Sequence, residues 1–132
     1  MITQDQYFIG REHSIDQSQN AIKLLAAVNP LLRRYESMTG RILPISHKTN
    51  SQISGTTNGG FRLPDCTEGA PNSSHKQACA VDVYDPDNAI DDWLTDTILE
   101  QFGLYREHPD DTLTWVHITT RAPGSGHRTF HP

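Results

Sequence analysis

The sequence lacks the features that define membrane-spanning proteins and disulfide-rich secreted proteins. Its longest apolar run, Leu24–Val28, has five residues, whereas a bilayer span needs about 20. The amino terminus has neither a basic segment nor an apolar one, so we expect no secretory signal peptide. Cys66 and Cys79 are the only cysteines, too few for a disulfide framework. We expect free thiols, with one disulfide as the alternative in an oxidising compartment.

Positive charge is also scarce. The chain has 11 lysines and arginines against 16 aspartates and glutamates, which gives a formal net charge of −5 at pH 7. Affinity for nucleic acid comes mainly from clustered Lys and Arg, so nucleic acid is not an expected partner. Histidine, by contrast, is frequent, with seven in 132 residues. This number directs attention to a site that binds a metal or transfers protons.

The length predicts one domain, 1–132, with a helix in its first third. Over Gln17–Tyr35, apolar residues recur at spacings of three and four, the pattern of an amphipathic helix. Pro30 interrupts the pattern, and it either kinks this helix or begins a second one. Positions 46–74 are rich in Ser, Thr, Asn, Gly and Pro, and we interpret them as functional loops on the same scaffold.

The second half of the chain predicts short strands around another helix. Ala78–Tyr84 is apolar on both faces, as in a central strand. A helix is expected over Asn88–Phe102 with Asn88 as its N-cap, and strands over Leu104–Arg106 and Leu113–Thr119. The tail after Arg121 is expected to be a loop. Helices and short strands without regular βαβ alternation predict the α+β class.

Two histidines and one aspartate form the candidate metal site. His75 and Asp82 flank the first predicted strand, and His117 lies in a later one. Two imidazoles and a carboxylate suit a zinc ion that keeps its fourth position open. The alternative is that His75 is a polar loop residue and His117 a hydrogen-bonded core histidine. An iron(II) site usually has its carboxylate two residues after the first His, where this chain has Gln77.

Two sequence motifs carry a family resemblance. The segment Ser73–Asp82 resembles the Ser-x-His-x-x-Gly-x-Ala-x-Asp signature of the M15 zinc peptidases, the D-Ala-D-Ala carboxypeptidase family, and Trp115–Ile118 resembles their Trp-x-His motif. The predicted N-terminal helix is similar to that of the small phage-encoded branch, so the resemblance runs from about Tyr7 to the C-terminus. It implies the hedgehog/D-Ala-D-Ala-peptidase fold, with helices on a small antiparallel sheet, and Zn²⁺ held by His75, Asp82 and His117.

The resemblance also implies a role for Arg62. Shortly after His75, the sequence departs from the family's pattern at two positions. Arg62 matches the Arg of the family's Ser-Gly-Tyr-Arg motif and would position the substrate; alternatively, it only holds its own loop. Ala78 replaces the family's Gly, which fits an ordinary backbone but not a positive φ. Cys79 stands where many relatives have a larger polar residue, and we expect a small buried side chain there.

A third departure concerns the general base. Many family members have a catalytic Glu three residues before the last His ligand, and this chain has Thr114 there. Threonine is no general base at neutral pH. The candidates are Glu107, Asp110 and Asp111, and a hairpin could fold Glu107 back beside His117. The alternative for all three, stronger for the aspartates, is a solvated acidic turn.

Three further residues have a weaker connection to the site. His127 follows the last strand closely and could support an oxyanion or a ligand, but a histidine on a surface loop is the alternative we favour. We expect Trp93 and Trp115 to belong to the core rather than to a substrate platform.

The function implied is zinc-dependent hydrolysis of peptidoglycan stem peptides by an endolysin-like D-Ala-D-Ala carboxypeptidase or endopeptidase. The partners are then bacterial peptidoglycan peptides, with a monomer favoured. A phage product would act on the cell wall after release from the host cytoplasm, or as part of the virion. The alternatives are a catalytically weak or inactive zinc protein that binds the wall or builds the virion, and a metal-free structural protein.

Overall fold

The computed structural model describes residues 1–132 and confirms the α+β class. Four helices, two short 3₁₀ turns and four strands follow one another along the chain. The helices are α1 (Gln4–Phe8), α2 (Ile15–Thr39), α3 (Ala89–Trp93) and α4 (Asp96–Gln101). The strands are β1 (Ala80–Tyr84), β2 (Tyr105–Glu107), β3 (Trp115–Thr119) and β4 (Thr129–Phe130), and the 3₁₀ turns are Ser74–Gln77 and Pro109–Asp111.

Helix α2 confirms the predicted helix and extends beyond it at both ends. Ser14 caps its first turn reciprocally with Gln17, and Gly40 ends it in the left-handed conformation with φ 69°. The helix continues through Pro30. A proline within a helix costs about 3 kcal/mol, but Leu31 and Leu32 directly after it are fully buried. Burial of each such side chain contributes about 1.5–3 kcal/mol, which offsets that cost.

Helix α1 was not predicted, and it links the N-terminus to the sheet. Its residues Tyr7 and Phe8 are buried, and the Tyr7 hydroxyl donates a hydrogen bond to the carbonyl oxygen of Ala80 at 2.8 Å. With five residues, the helix is too short for periodicity to reveal it. Its stability therefore depends on packing and on the capping box of Thr3 and Gln6.

The helix predicted over Asn88–Phe102 is two helices, α3 and α4. Leu94 is extended, with ψ 134°, and the Thr95 side chain caps α4 by accepting from the amide of Ile98. Asn88 is left-handed and makes no side-chain cap. Instead, the carboxylate of Asp85 accepts from the amides of Ile90 and Asp91 in the first turn of α3. The prediction missed the Thr-Asp start signal at Thr95 inside an otherwise helical pattern.

The sheet has the order β1-β3-β2-β4 and is mixed rather than antiparallel. Strand β3 pairs antiparallel with β1 and β2, whereas β4 pairs parallel with β2. Three predictions are therefore wrong: the sheet is not purely antiparallel, β1 is an edge strand rather than a central one, and the tail contains β4. The edge of β1 is nevertheless covered, because residues 52–59 bond to it through a bridge between Ile53 and Val83 and three further backbone hydrogen bonds.

One face of the sheet belongs to the core and the other carries polar side chains. Val81, Val83, Val116 and Ile118 are fully buried and join a hydrophobic cluster of 22 residues that includes the stripe of α2. Because side chains alternate along a strand, the intervening positions of β1 and β3 point to the opposite face. None of the helices combines the length and hydrophobicity that crossing a membrane requires.

Arg106 is a buried cation that joins α3, β2 and β4. Its Nη1 donates to the backbone oxygen and to Oδ1 of Asp91 at 2.9 and 3.0 Å. Its Nη2 donates to the carbonyl oxygen of Leu94, and its Nε donates to Thr129 Oγ1. Burial raises the pKa of Asp91 from 3.8 to about 6, although the charge of Arg106 acts in the opposite direction.

Replacing this cation is expected to destabilise the fold in a pH-dependent way. Arg106→Leu leaves Asp91 buried without a partner, and we expect a loss of about 3–5 kcal/mol at pH 8. The loss is smaller at pH 5, because a carboxyl with a raised pKa is protonated there and carries no charge. Urea unfolding followed by circular dichroism measures both values, with the exposed Arg121→Leu as control. Equal losses at the two pH values would contradict this account of Asp91.

Candidate metal centre and groove

The structure brings His75, Asp82 and His117 together at one point. Asp82 and His117 are direct cross-strand partners of β1 and β3, so their side chains lie on the same face. His75 comes from the 3₁₀ turn before β1. Asp82 Oδ1 lies 2.9 Å from His117 Nδ1 and 3.2 Å from His75 Nε2, and the two nitrogens are 3.3 Å apart. All three residues are buried and could hold one metal ion. We refer to these three side chains as the metal cluster.

The orientation of His75 is fixed by its other ring nitrogen. His75 Nδ1 lies 2.8 Å from the carbonyl oxygen of Gly60, and since a carbonyl only accepts, Nδ1 carries the proton. Nε2 is therefore the ring nitrogen that faces Asp82 and His117, and it is the atom that would ligate a bound metal ion. Gly60 itself is fixed against α1, because a Cβ there would lie 2.5 Å from the backbone oxygen of Tyr7. A metal ligand held by a backbone acceptor in this way is preorganised.

Ala78 shows how the chain passes from the His75 turn into β1. Its φ is 58°, in the left-handed region, and its amide bonds back to the carbonyl oxygen of His75. This is the condition under which we expected alanine not to fit, yet its methyl group is completely buried. A left-handed alanine costs about 1–2 kcal/mol. The left-handed turn accounts for the glycine that the zinc-peptidase signature has at this position. In this chain, the surrounding packing holds alanine in the same conformation.

Asp82 and His117 strongly influence each other's protonation. Burial opposes ionisation of Asp82, but the two imidazoles outweigh it and hold the pKa of that carboxyl well below its usual range. Burial alone would lower the pKa of His117, but the hydrogen bond and charge of Asp82, with a contribution from Glu107, raise it. Without a metal, the cluster therefore retains a negative Asp82 beside a His117 that holds its proton more tightly.

Arg62 lies next to Asp82, and most of its N–H donors already have acceptors within the protein. Its Nε donates to the carbonyl oxygen of Asn58 at 2.8 Å, and its Nη1 to that of Glu68 at 3.3 Å. Nη2 faces Asp82 Oδ2 at 3.5 Å. Gly69 is needed beside it, since a Cβ there would lie 2.6 Å from Nη1. Arg62 thus ties two loop segments together and places a positive charge next to the ligand carboxylate.

Glu107 lies beside His117 on the side opposite Asp82. Strand β2 pairs Tyr105 with Thr119 and Arg106 with Ile118, and the same register places Glu107 opposite His117. The Glu107 side chain makes no hydrogen bond or ion pair within the protein, and it lines the same cavity as the metal cluster. Of the three predicted base candidates, it alone does so. Asp110 and Asp111 face His108 and His131 instead.

The cluster forms the floor of an open groove of about 1000 Å³. Loop residues from the Ser, Thr, Asn and Gly-rich stretch form one wall, and the polar face of the sheet forms the other. The lining includes Ser54, Asn58, Ser73, Tyr84, Thr114, Trp115, Phe130 and Lys48. Trp115 is therefore a groove residue, and its prediction as a core residue is wrong. Trp93 packs against Tyr35 at the core, with ring centroids 5.4 Å apart.

The remaining sequence-predicted residues lie away from the metal cluster or serve packing. His127 is exposed and does not line the groove. Cys66 and Cys79 are both free, and Cys79 is buried. Sequence reasoning missed Lys48, Ser54 and Phe130 as groove residues. The only signal for the first two was their place in a stretch already interpreted as functional loops.

Comparisons with family models, curated proteins and solved structures found no match to this chain. The resemblance of the two motifs to the zinc peptidases therefore stays a prediction.

Metal binding at this cluster is expected to require His117 and to compete with protons. We expect His117→Ala to lose stoichiometric binding of Zn²⁺ or Co²⁺, because it removes one of three ligands, whereas His127→Ala retains it. Since the pKa of His117 is raised, affinity should fall as pH is lowered through it, by about tenfold per pH unit for one displaced proton. Isothermal titration calorimetry at several pH values measures this. Binding that is independent of pH, or retained in His117→Ala, would refute the site.

Proposed function

We propose that this chain is a zinc-dependent peptidase that hydrolyses stem peptides of bacterial peptidoglycan, with the hedgehog/D-Ala-D-Ala-peptidase fold that its motifs imply. The observation that carries the proposal is the convergence of His75, Asp82 and His117 on the floor of a groove, with an unpartnered carboxylate beside them. Such a ligand set leaves one coordination position for water or substrate, as catalytic zinc sites require.

The spacing of the ligand atoms supports zinc. Tetrahedral zinc with bonds of about 2.0–2.1 Å places its ligand atoms about 3.3–3.4 Å apart. The three separations in the structure are 2.9, 3.2 and 3.3 Å. Two of them lie within 0.2 Å of the expected value, and a small shift of Asp82 or His117 would bring the third there. A carboxylate and two imidazoles are also donor types that zinc binds in proteins.

The protein's own residues divide the remaining chemistry between them. A zinc ion held here supplies a Lewis acid that polarises the scissile carbonyl and acidifies water. Glu107 is the general base: it takes a proton from the attacking water and returns it to the leaving amine as the carbon–nitrogen bond breaks. Arg62 is a positioning residue that orients Asp82. Asn58, whose side chain links Arg11 and Glu68, stiffens the loop wall beside it.

The rival function is a zinc protein that binds the cell wall or belongs to a virion without cutting peptides. It is favoured by Thr114, which lines the groove at the position where the resemblance implies a catalytic glutamate. Glu107 favours the peptidase over this rival, because it lines the same groove from β2. It supplies the carboxylate that a peptidase without the usual glutamate needs as a base.

Replacing the base is expected to abolish cleavage while metal binding remains. Glu107→Gln keeps the size of the side chain but cannot accept the proton, and we expect a loss of about 10²–10⁴-fold in the cleavage rate. Mass spectrometry of purified peptidoglycan after incubation with the zinc-loaded protein measures the fragments released. Asp110→Asn, outside the groove, is the matched control and should cleave normally.

The outcomes separate the two functions. New fragments that disappear with a chelator support the peptidase, and their masses identify the bond. Zinc binding at one equivalent without any fragment would favour the non-catalytic function. Wild-type turnover by Glu107→Gln would eliminate Glu107 as the base.

A further inference from the structure

The groove contains one positively charged side chain that the structure leaves without a partner. Arg62 is occupied by two carbonyl oxygens and by Asp82, and Glu68 accepts a hydrogen bond from Asn58 at 2.6 Å. Lys48 lines the same groove but takes part in none of the side-chain hydrogen bonds or ion pairs of the protein. Lys48 and Glu107 are the two charged side chains of the lining that no other side chain pairs with.

Lys48 is carried by a well-anchored turn rather than by a loose loop. Ser46 and Ser51 pair through their backbones and are nearly fully buried. The Thr49 hydroxyl donates to the carbonyl oxygen of Ile53 at 2.7 Å, and Ile53 in turn bridges to Val83 of β1. The backbone under Lys48 is therefore fixed relative to the strand that carries Asp82, and only the side chain is free to reach a ligand.

Lys48 and Glu107 lie on opposite sides of the metal cluster. The turn at 46–51 leads into the segment that covers the outer edge of β1, whereas Glu107 belongs to β2, beyond β3. Across the sheet, the order is thus the Lys48 turn, Asp82, His117 and Glu107. A peptide lying over the metal cluster would meet the carboxylate of Glu107 on one side and the ammonium group of Lys48 on the other.

We propose that Lys48 binds a free carboxylate of the substrate, so that the enzyme selects stem peptides with an unamidated carboxylate next to the scissile bond. This inference rests on the proposed function and names its substrate class. The ammonium group of lysine is a compact charge that suits a carboxylate in any orientation. On a chain with a net charge of −5, such a group also offsets the repulsion of an acidic peptide locally.

The test compares peptides that differ only in amidation. The probes are the pentapeptide L-Ala-γ-D-Glu-L-Lys-D-Ala-D-Ala, its form with the D-Glu α-carboxamide, and its form with a C-terminal carboxamide. Binding to the zinc-loaded Glu107→Gln protein is measured by calorimetry, so that no probe is cleaved. Cleavage by the protein with its natural Glu107 is measured in parallel.

We expect one of the two amidated forms to bind about fivefold more weakly than the parent, the upper range for an ion pair exposed to solvent. In Lys48→Gln, the affinity for the parent peptide should fall by the same factor. The difference in affinity between the parent and that amidated form should vanish. Lys48→Glu should reverse the preference. Lys23→Gln, an exposed lysine on α2, is the matched control, and His47→Gln tests the neighbouring groove residue. The preference should weaken with added salt.

Each result has a defined meaning. If the parent and both amidated forms bind equally, or if Lys48→Gln keeps the discrimination, the assignment of Lys48 is wrong while the peptidase function stands. If discrimination disappears in His47→Gln and not in Lys48→Gln, the carboxylate is bound by the other residue and the assignment is likewise overturned. If no probe binds and none is cleaved, the proposed function fails and this inference fails with it.

Discussion

Asp82 carries a buried negative charge, and a charge of this kind is tolerated only where other groups compensate it. The compensation comes from separate parts of the chain: His75 from a turn, His117 from the neighbouring strand and Arg62 from a loop. Each of these groups is itself fixed by the backbone, His75 by Gly60 and Arg62 by the carbonyl oxygens of Asn58 and Glu68. The ordering of the polar loops thus follows from the requirement to surround one carboxylate.

The position of that carboxylate on β1 connects the site to the core. Alternation along the strand places Val81 and Val83 in the core whenever Asp82 faces the groove, so a slip of one residue would bury a charge in the apolar cluster and expose two valines. The hydrophobic core and the metal cluster therefore specify the same register. Tyr7 reinforces it from α1 through its hydrogen bond to Ala80.

The sequence allowed prediction of those parts of the structure whose determinants are local. Helix α2 and strand β3 have apolar patterns long enough to read, and the two histidine motifs resemble those of a family in which they form one site. Strand β4 has two residues and forms only because β2 offers a parallel partner far away in sequence. The break at Leu94 and the cap by Asp85 have local signals, but the helical pattern of apolar residues around them obscured both. Trp115 was misplaced because an alternating strand does not reveal whether its second face meets solvent, core or a groove.

The cover on the edge of β1 limits how any peptide can lie on this protein. The outward backbone groups of that strand are already paired: Ala80 with the Tyr7 hydroxyl, Asp82 with Ser54 and Gly59, and Tyr84 with Gln52. An incoming chain therefore finds no free backbone groups there and cannot add a strand beside β1, the mode by which many domains capture extended peptides. Next to β1 it would lie across the face instead, where side chains rather than backbone amides recognise it. Recognition of that kind does not require a regular β conformation, so branched and D-configured chains are not at a disadvantage on this surface.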